Sequence, residues 1–373
     1  MDIGYCHINA IPFSVFELKD LEYLNLMEND ITKIPDEIGN LKKLKTLKIQ
    51  WKNLKDVSDK IGELPIESIE FSANKGKIPK TIYKLKHLKR IEAKMAGLTK
   101  ISGKIGMLKE LEYLDLEDNW SLTELPEEIG MLTKLERLGI SVCKLKDLPE
   151  DFAKLGKLEI LDMSINKFVK LPHFFAELQS LRKLYLQSNE IKELPNSFSH
   201  LFNLEWLNLG DNRLSALPEN FASLFKLKHL DLYDNLFVEF PIEITQLANL
   251  ESLKISFSKE KTVFYDDWEV DTHISDEPIN LPAEIGEMKS LKQLELTGDR
   301  IEYLPNEIGM LGNLRGLEID YAALKTLPDE ICNLTQLAEL SFESNPDLIF
   351  SQKQLVWLDE LEKQGCKIKM DKK

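Results

Sequence analysis

Residues 158–249 read LEILDMSINKFVKLPHFFAELQS (158–180), LRKLYLQSNEIKELPNSFSHLFN (181–203), LEWLNLGDNRLSALPENFASLFK (204–226) and LKHLDLYDNLFVEFPIEITQLAN (227–249). Laid over one another they share the frame L-x-x-L-x-L-x-x-N-x-L-x-x-L-P-x-x-F/I-x-x-L-x-x, 23 residues long. A fixed step of this size marks a repeat architecture, in which each unit buries its apolar face only by stacking on its neighbours. The frame extends in both directions, with starts at Leu21, Leu44, Ile66, Leu88, Leu111, Leu135, Leu158, Leu181, Leu204, Leu227, Leu250, Leu291, Leu314 and Leu337. Of the 13 intervals nine are 23 residues, two are 22, one is 24 and one is 41, so the register holds with a single large departure, after Leu250.

Within a repeat, the apolar alternation at positions 4 and 6 predicts a short strand with one face buried. Position 9 is asparagine at Asn29, Asn74, Asn119, Asn166, Asn189, Asn212, Asn235 and Asn345. Its amide can serve backbone groups of the turn that would otherwise be buried unpaired. Cys143 takes this slot in its repeat, and counting back places Cys6 there too, so both are expected to be buried structural thiols. Proline stands at position 15 in twelve repeats, where a missing N–H costs nothing if a helical turn begins there. The stretch that follows has room for only one or two turns. Parallel strands ~4.8 Å apart stacked against helices needing ~8–10 Å give a solenoid with the strands on its concave side. The expected fold is an α/β solenoid over residues 1–350, with a cap at 351–373.

This frame resembles the leucine-rich repeat superfamily. Its LPxxIGxLxxL phrasing, seen as LPNEIGMLGNL from Leu304 to Leu314, looks most like the Ras-group intracellular scaffolds and their bacterial relatives. The resemblance covers nearly the whole chain and implies a binding scaffold, without naming what is bound.

Several places depart from the frame. The chain opens inside a repeat, with residues 1–20 supplying Ile3, Ile8, Ile11, Pro12 and Leu18 at positions 6, 11, 14, 15 and 21. No polar cap is legible there, an expectation of either preceding residues or a covering chain. Lys52 and Ala96 replace the asparagine, and Ser58 and Ser102 the proline. The repeat from Leu250 carries about 18 extra residues, placed at 259–278; KTVFYDDWEVDTHI reads as a hairpin turning at Asp266-Asp267 and adds Phe264, Tyr265 and Trp268. Near the carboxyl end SQKQLVWLDELEKQG sets Leu355, Leu358 and Leu361 at helical spacing with Trp357 beside them, and CKIKM reads as a last strand. Trp357 is expected to cover the final repeat's core.

Net charge is −15 with a pI near 5.1, which argues against a nucleic-acid or anionic-membrane partner. No apolar run approaches the ~20 residues of a membrane span, and no signal peptide is legible, so a cytoplasmic protein is expected. The four cysteines are far apart, which speaks for a reducing compartment. No P-loop, G-x-S-x-G, H-E-x-x-H or calcium-loop motif occurs, no cysteine begins a Cys-x-Asp nucleophile, and the six histidines form no metal pair. The chain therefore reads as non-enzymatic, with no cofactor implied. Asp211, Asp231 and Asp234 were the one acidic group expected to project together, as a solvated face or a cation holder.

Positions 3, 5, 7 and 8 point out of the sheet and are free of the fold's demands. Acidic residues dominate near Leu111 (Asp115, Glu117, Asp118) and toward the carboxyl end (Glu295, Glu318, Asp320, Glu339, Glu343), while Lys48, Arg90 and Lys94 mix with Glu70 and Glu92 near the start. The middle is aromatic: Lys183, Trp206 and His229 at position 3, with Tyr185 and Asp231 at position 5 and Tyr233 at position 7. Val142, Ile160 and Ile165 extend the apolar ground on one side and Phe257 on the other. Exposed Trp and Tyr among polar neighbours have the composition of an interface hot spot. The expected function is binding of a protein or peptide, preferably with basic segments that suit the acidic flanks. Two rival readings are the recognition part of a larger effector and a carbohydrate or small-ligand receptor.

Overall fold

The computed structural model describes residues 1–50, 54–72, 77–265 and 268–371, with residues 262–271 described by their backbone alone. Lys52, Asn74 and the Asp266-Asp267 turn lie outside the described residues, as do the side chains of Phe264, Tyr265 and Trp268. Contacts divide the chain into two units: residues 1–168 with 172–184, and residues 169–171 with 185–373.

In the first unit the strands Tyr23–Leu26, Thr46–Gln50, Ser68–Ser72, Arg90–Glu92, Tyr113–Asp115, Arg137–Gly139 and Ile160–Asp162 pair in parallel and in sequence order. Register follows repeat position: Leu24 faces Leu47, then Ile69, Ile91, Leu114, Leu138 and Leu161. The second unit repeats this with Trp206–Asn208, His229–Leu232, Ser252–Ser256, Gln293–Thr297, Gly316–Asp320, Glu339–Phe342 and Lys367–Met370. Ser252–Ser256 pairs directly with Gln293–Thr297, so the 41-residue interval loops out and leaves the sheet unbroken. Its residues form the antiparallel hairpin Glu260–Tyr265 with Trp268–His273.

The return segments are 3-10 turns, not α-helix; Asn306–Met310 after Pro305 and Asn196–His200 after Pro195 are typical. Five residues between proline and the next leucine cannot close enough i→i+4 bonds for an α-helix, and the tighter turn suits short pieces. Where serine replaces proline it caps the turn: the side chains of Ser58 and Ser102 accept from the backbone N–H of Lys60 and Lys104. In each unit an apolar core lies between strands and turns, with Leu161 fully buried in the first and Leu207, Ile244 and Phe198 in the second.

The asparagines stitch consecutive repeats together. Asn212 Nδ2 donates to the carbonyls of Leu186 and Leu209, both at 3.0 Å, while its Oδ1 accepts from Ile191 N–H at 3.0 Å. Asn235 does the same with Leu209, Leu232 and Leu214, and Asn166 with Ile140, Met163 and Leu145. One side chain thus satisfies three backbone groups across two repeats. The residue before each slot is left-handed, as at Ser188, Asp211 and Asp234, which turns the chain off the strand. Cys143 is buried in its slot with its thiol toward the carbonyls of Leu116 and Ser141, and burial pushes that thiol up to about 11.

Cys6 departs from the expectation. It is exposed: residues 1–7 run beside Tyr23–Leu26, Asp2 bridging to Asn25, and no described residue packs over the Cys6 side chain. At the other end the α-helix Gln352–Lys363 starts at a capping box made by Ser351 and Gln354. Trp357 is buried and donates its indole N–H to the Leu334 carbonyl at 3.2 Å; Leu358 and Leu361 are buried beside it, whereas Leu355 faces solvent.

Two outcomes are expected. Leu207→Ala should cost about 2–5 kcal/mol, with faster amide exchange confined to neighbouring repeats, since solenoid contacts are local. A thiol reagent should label Cys6 in the native state, with Cys143 reacting only on unfolding; mass spectrometry of timed quenches reads both.

Candidate binding face

On the sheet face of the second unit, position-3 and position-5 side chains stand on unbroken parallel strands, so neighbouring repeats bring like positions side by side. Trp206 lies opposite His229 in the strand register, their ring centroids 4.3 Å apart at 32°. Tyr185 meets the other side of Trp206 at 6.3 Å. Tyr233 is exposed, with the Lys254 ammonium 4.5 Å over its ring. Lys254 also pairs with Glu295 at 2.7 Å. Asp231 accepts from Tyr233 N–H at 2.9 Å, and burial raises its carboxyl above the usual range. A furrow of about 170 Å³ runs past these groups, lined by Trp206, His229, Asp231, Ser252, Lys254 and Glu318 among others.

Five of the sequence-predicted site residues therefore share this face: Tyr185, Trp206, His229, Asp231 and Tyr233. Lys183 and Ile160 belong to the first unit, Lys183 exposed and Ile160 half-buried. Phe257 is a correction. It is 1% exposed and packs on Phe240 at 6.1 Å. Position 8 faces outward where the backbone is left-handed, but at Phe257 the chain turns instead into the hairpin and the ring becomes core.

The expected aspartate trio is also corrected. Asp211 and Asp234 do converge, on the Lys261 ammonium of the hairpin, at 3.3 and 3.2 Å. That lysine, 5% exposed, further donates to the Asn212 carbonyl at 2.9 Å and to the Asp234 carbonyl. The chain supplies its own cation here, and Asp231 stands apart on the sheet face. No metal-binding group of acids, histidines and cysteines exists among the described residues. A second buried cation, Arg300, is 2% exposed and donates to the carbonyls of Glu277 (2.8 Å), Phe237 (3.1 Å) and Val238 (2.6 Å). In regular repeats the position-11 carbonyl accepts from a backbone N–H of the next repeat, as Ile191 does from Arg213 and Leu214 from Leu236; at Phe237, where the chain leaves the frame and Lys259 N–H turns to Asp299, Arg300 supplies the donor.

The first unit's face is different. Lys48 pairs with Glu70 at 2.5 Å, Arg90 with Glu92 at 2.6 Å, and Lys94 with Asp115 at 3.3 Å and with Glu117, so the charges neutralise one another. Arg90 and Arg137 flank the Tyr113 ring, at 3.6 and 5.4 Å from its centroid. In the second unit Glu318 makes no ion pair among the described residues. Burial, then the neighbouring charges of Glu295 and Asp320, hold its carboxyl above the ordinary value. In the turns that precede the strands an exposed pair, Phe202 and Phe225, stacks at 6.4 Å.

A family model described as a leucine-rich repeat region matches residues 100–189, and a Leucine Rich Repeat model matches residues 20–41, 180–201 and 203–224. The residues these models match carry leucine-rich repeats, and the fold is the solenoid of that class. It is similar to a leucine-rich repeat protein of Leptospira interrogans at 29% identity and TM-score 0.76, over 99% of this chain and 94% of that one. Likeness to a plant peptide hormone receptor (22% identity, TM-score 0.59, 91% of this chain, 64% of that one) concerns the fold alone. The same holds for the Drosophila Toll–Spätzle structure (20%, TM-score 0.65, 92% and 53%). The chain thus spans less than two-thirds of these two. No curated protein is a significant match.

Replacing Lys261 with methionine should loosen the hairpin, since two aspartates and two carbonyls lose one shared donor. Faster amide exchange over residues 260–273, with the strands Trp206–Asn208 and Ser252–Ser256 unchanged, is the expected result.

Proposed function

We propose that the sheet face of the second unit binds a protein or peptide, anchored by Trp206. The observation that carries this reading is the Tyr185–Trp206–His229 stack, three rings in a row on the solvent side of strands whose core positions are already filled by Leu207 and Leu230. Rings that fill no core and lie beside hydrogen-bonding groups have the make-up of interface anchors. Repeat proteins of this fold include a plant receptor in complex with the peptide RGF2 and Toll in complex with Spätzle, which supports a binding scaffold in general terms.

The furrow past Trp206 and His229, at about 170 Å³, is below the ~300–1,000 Å³ of small-molecule pockets, so this part of the face suits side chains of a protein partner better than an enclosed small ligand. The net charge of −15 and the carboxylates toward the carboxyl end favour a partner with basic segments.

A cross-linking pull-down with wild type and Trp206→Ala tests this. The variant should keep its thermal midpoint and lose about 2 kcal/mol or more of binding, the size of an aromatic hot spot. Glu343→Lys, an exposed charge on the acidic carboxyl-terminal flank and outside the furrow, should mainly slow association and flatten its salt dependence. A partner held equally by wild type and Trp206→Ala would remove the anchor.

A further inference from the structure

Across five adjacent strands of the second unit, two rows of side chains run perpendicular to the backbone. Position 3 gives Trp206, His229, Ser252, Gln293 and Gly316; position 5 gives Asn208, Asp231, Lys254, Glu295 and Glu318. The furrow follows these rows from the ring pair to Glu318. Its middle is low because Ser252 is small, and its two ends differ in chemistry. One end offers the faces of Trp206 and His229. The other offers Glu295 and Glu318 side by side, in a row with three carboxylates to one ammonium. That ammonium, Lys254, is already shared between Glu295 and the Tyr233 ring. Glu318 is left half-buried with no cation bound to it among the described residues.

The dimensions constrain what fits. From the His229 strand to the Glu318 strand is three steps of ~4.8 Å, or ~14 Å. An extended peptide rises ~3.3 Å per residue, so side chains four residues apart sit ~13 Å apart, and even spacing puts both on one face. A spacing of two falls short at ~7 Å, and a spacing of six overshoots at ~20 Å.

We propose that the furrow seats one extended peptide segment that crosses the strands. An apolar side chain lies against the His229 end of the ring pair, and an arginine or lysine four residues away reaches Glu318, whose row is displaced by two residues along the strand. This rests on the proposed function and adds to it the partner's chemistry and spacing. Arginine suits the acidic end better than lysine, because its planar fork can address Glu318 and Glu295 together.

Selection of a random peptide display library on the full chain tests the proposal. Enriched sequences should carry a basic residue four positions from an aromatic or aliphatic one, in either chain direction. For a synthetic copy of a selected peptide, arginine→citrulline should weaken binding about tenfold or more, and Glu318→Gln by a similar factor. The two losses should not compound, since they remove the same contact. Enriched peptides without that spacing, or a citrulline peptide that binds as tightly, would overturn the proposal. If citrulline and Glu318→Gln leave binding intact while Trp206→Ala abolishes it, the spacing inference fails and the aromatic anchor stands. If no peptide is enriched, or Trp206→Ala also binds as wild type, both readings fail.

Discussion

One buried amide per repeat holds this architecture together. A strand that ends in the interior leaves carbonyl and N–H groups with no partner in the sheet, and leaving such groups bare costs about 1–3 kcal/mol each. The position-9 asparagine answers three of them at once, reaching back to the previous repeat and forward along its own turn, as Asn212 does with Leu186, Leu209 and Ile191. The leucines supply the driving force for stacking, but they are indifferent to register. The amide geometry fixes each strand against the next by one full repeat, and the outward positions then line up in rows. The row of rings on the sheet face is a by-product of that alignment: Trp206 meets His229 because Asn212 and Asn235 hold their repeats in step.

Where the asparagine is absent, other chemistry takes over, and the substitutes differ in reach. Cys143 fills its slot with a thiol that needs little and is shielded. Where the hairpin takes the backbone out of the frame, the missing partner is a backbone N–H, and Arg300 brings its guanidinium to the carbonyls of Phe237, Val238 and Glu277. Burial lowers the proton affinity of that guanidinium, yet each of its three nitrogens donates to a carbonyl, which is what makes a buried cation tolerable. Lys261 does comparable work for the hairpin itself, on the Asp211 and Asp234 side chains. The insertion is thus tied to the body by charge-assisted bonds.

The fold was legible because its signal is redundant: fourteen copies of a leucine frame leave no room for another period. The ring stack was legible too, since parallel strands in strict register convert repeat position directly into neighbourhood. Legibility ended where the period broke. Phe257 occupies an outward position by count, but the backbone leaves the frame at that residue and buries it. Cys6 occupies an inward slot by count, but burial depends on what lies over it. The aspartates at 211 and 234 looked like an open acidic group because their partner, Lys261, sits 27 residues or more further along, inside a segment with no repeat to place it. The exposed Phe202–Phe225 pair carries no signal in the frame, because position 22 is unspecified there and only the stacking of neighbouring turns brings the two rings together.

Two aromatic groups therefore mark the surface of the second unit, the half-buried Tyr185–Trp206–His229 stack on the sheet face and the exposed Phe202–Phe225 pair in the turns that precede the strands. Hydroxyl-radical footprinting of the chain, free and with a bound peptide or protein partner, compares them in a single measurement. The account predicts that oxidation of Trp206, Tyr185 and Tyr233 falls on binding while Phe202 and Phe225 oxidise at the same rate in both states. Protection of Phe202 and Phe225 with Trp206 unchanged would contradict it, and would move the binding surface to the turns that precede the strands.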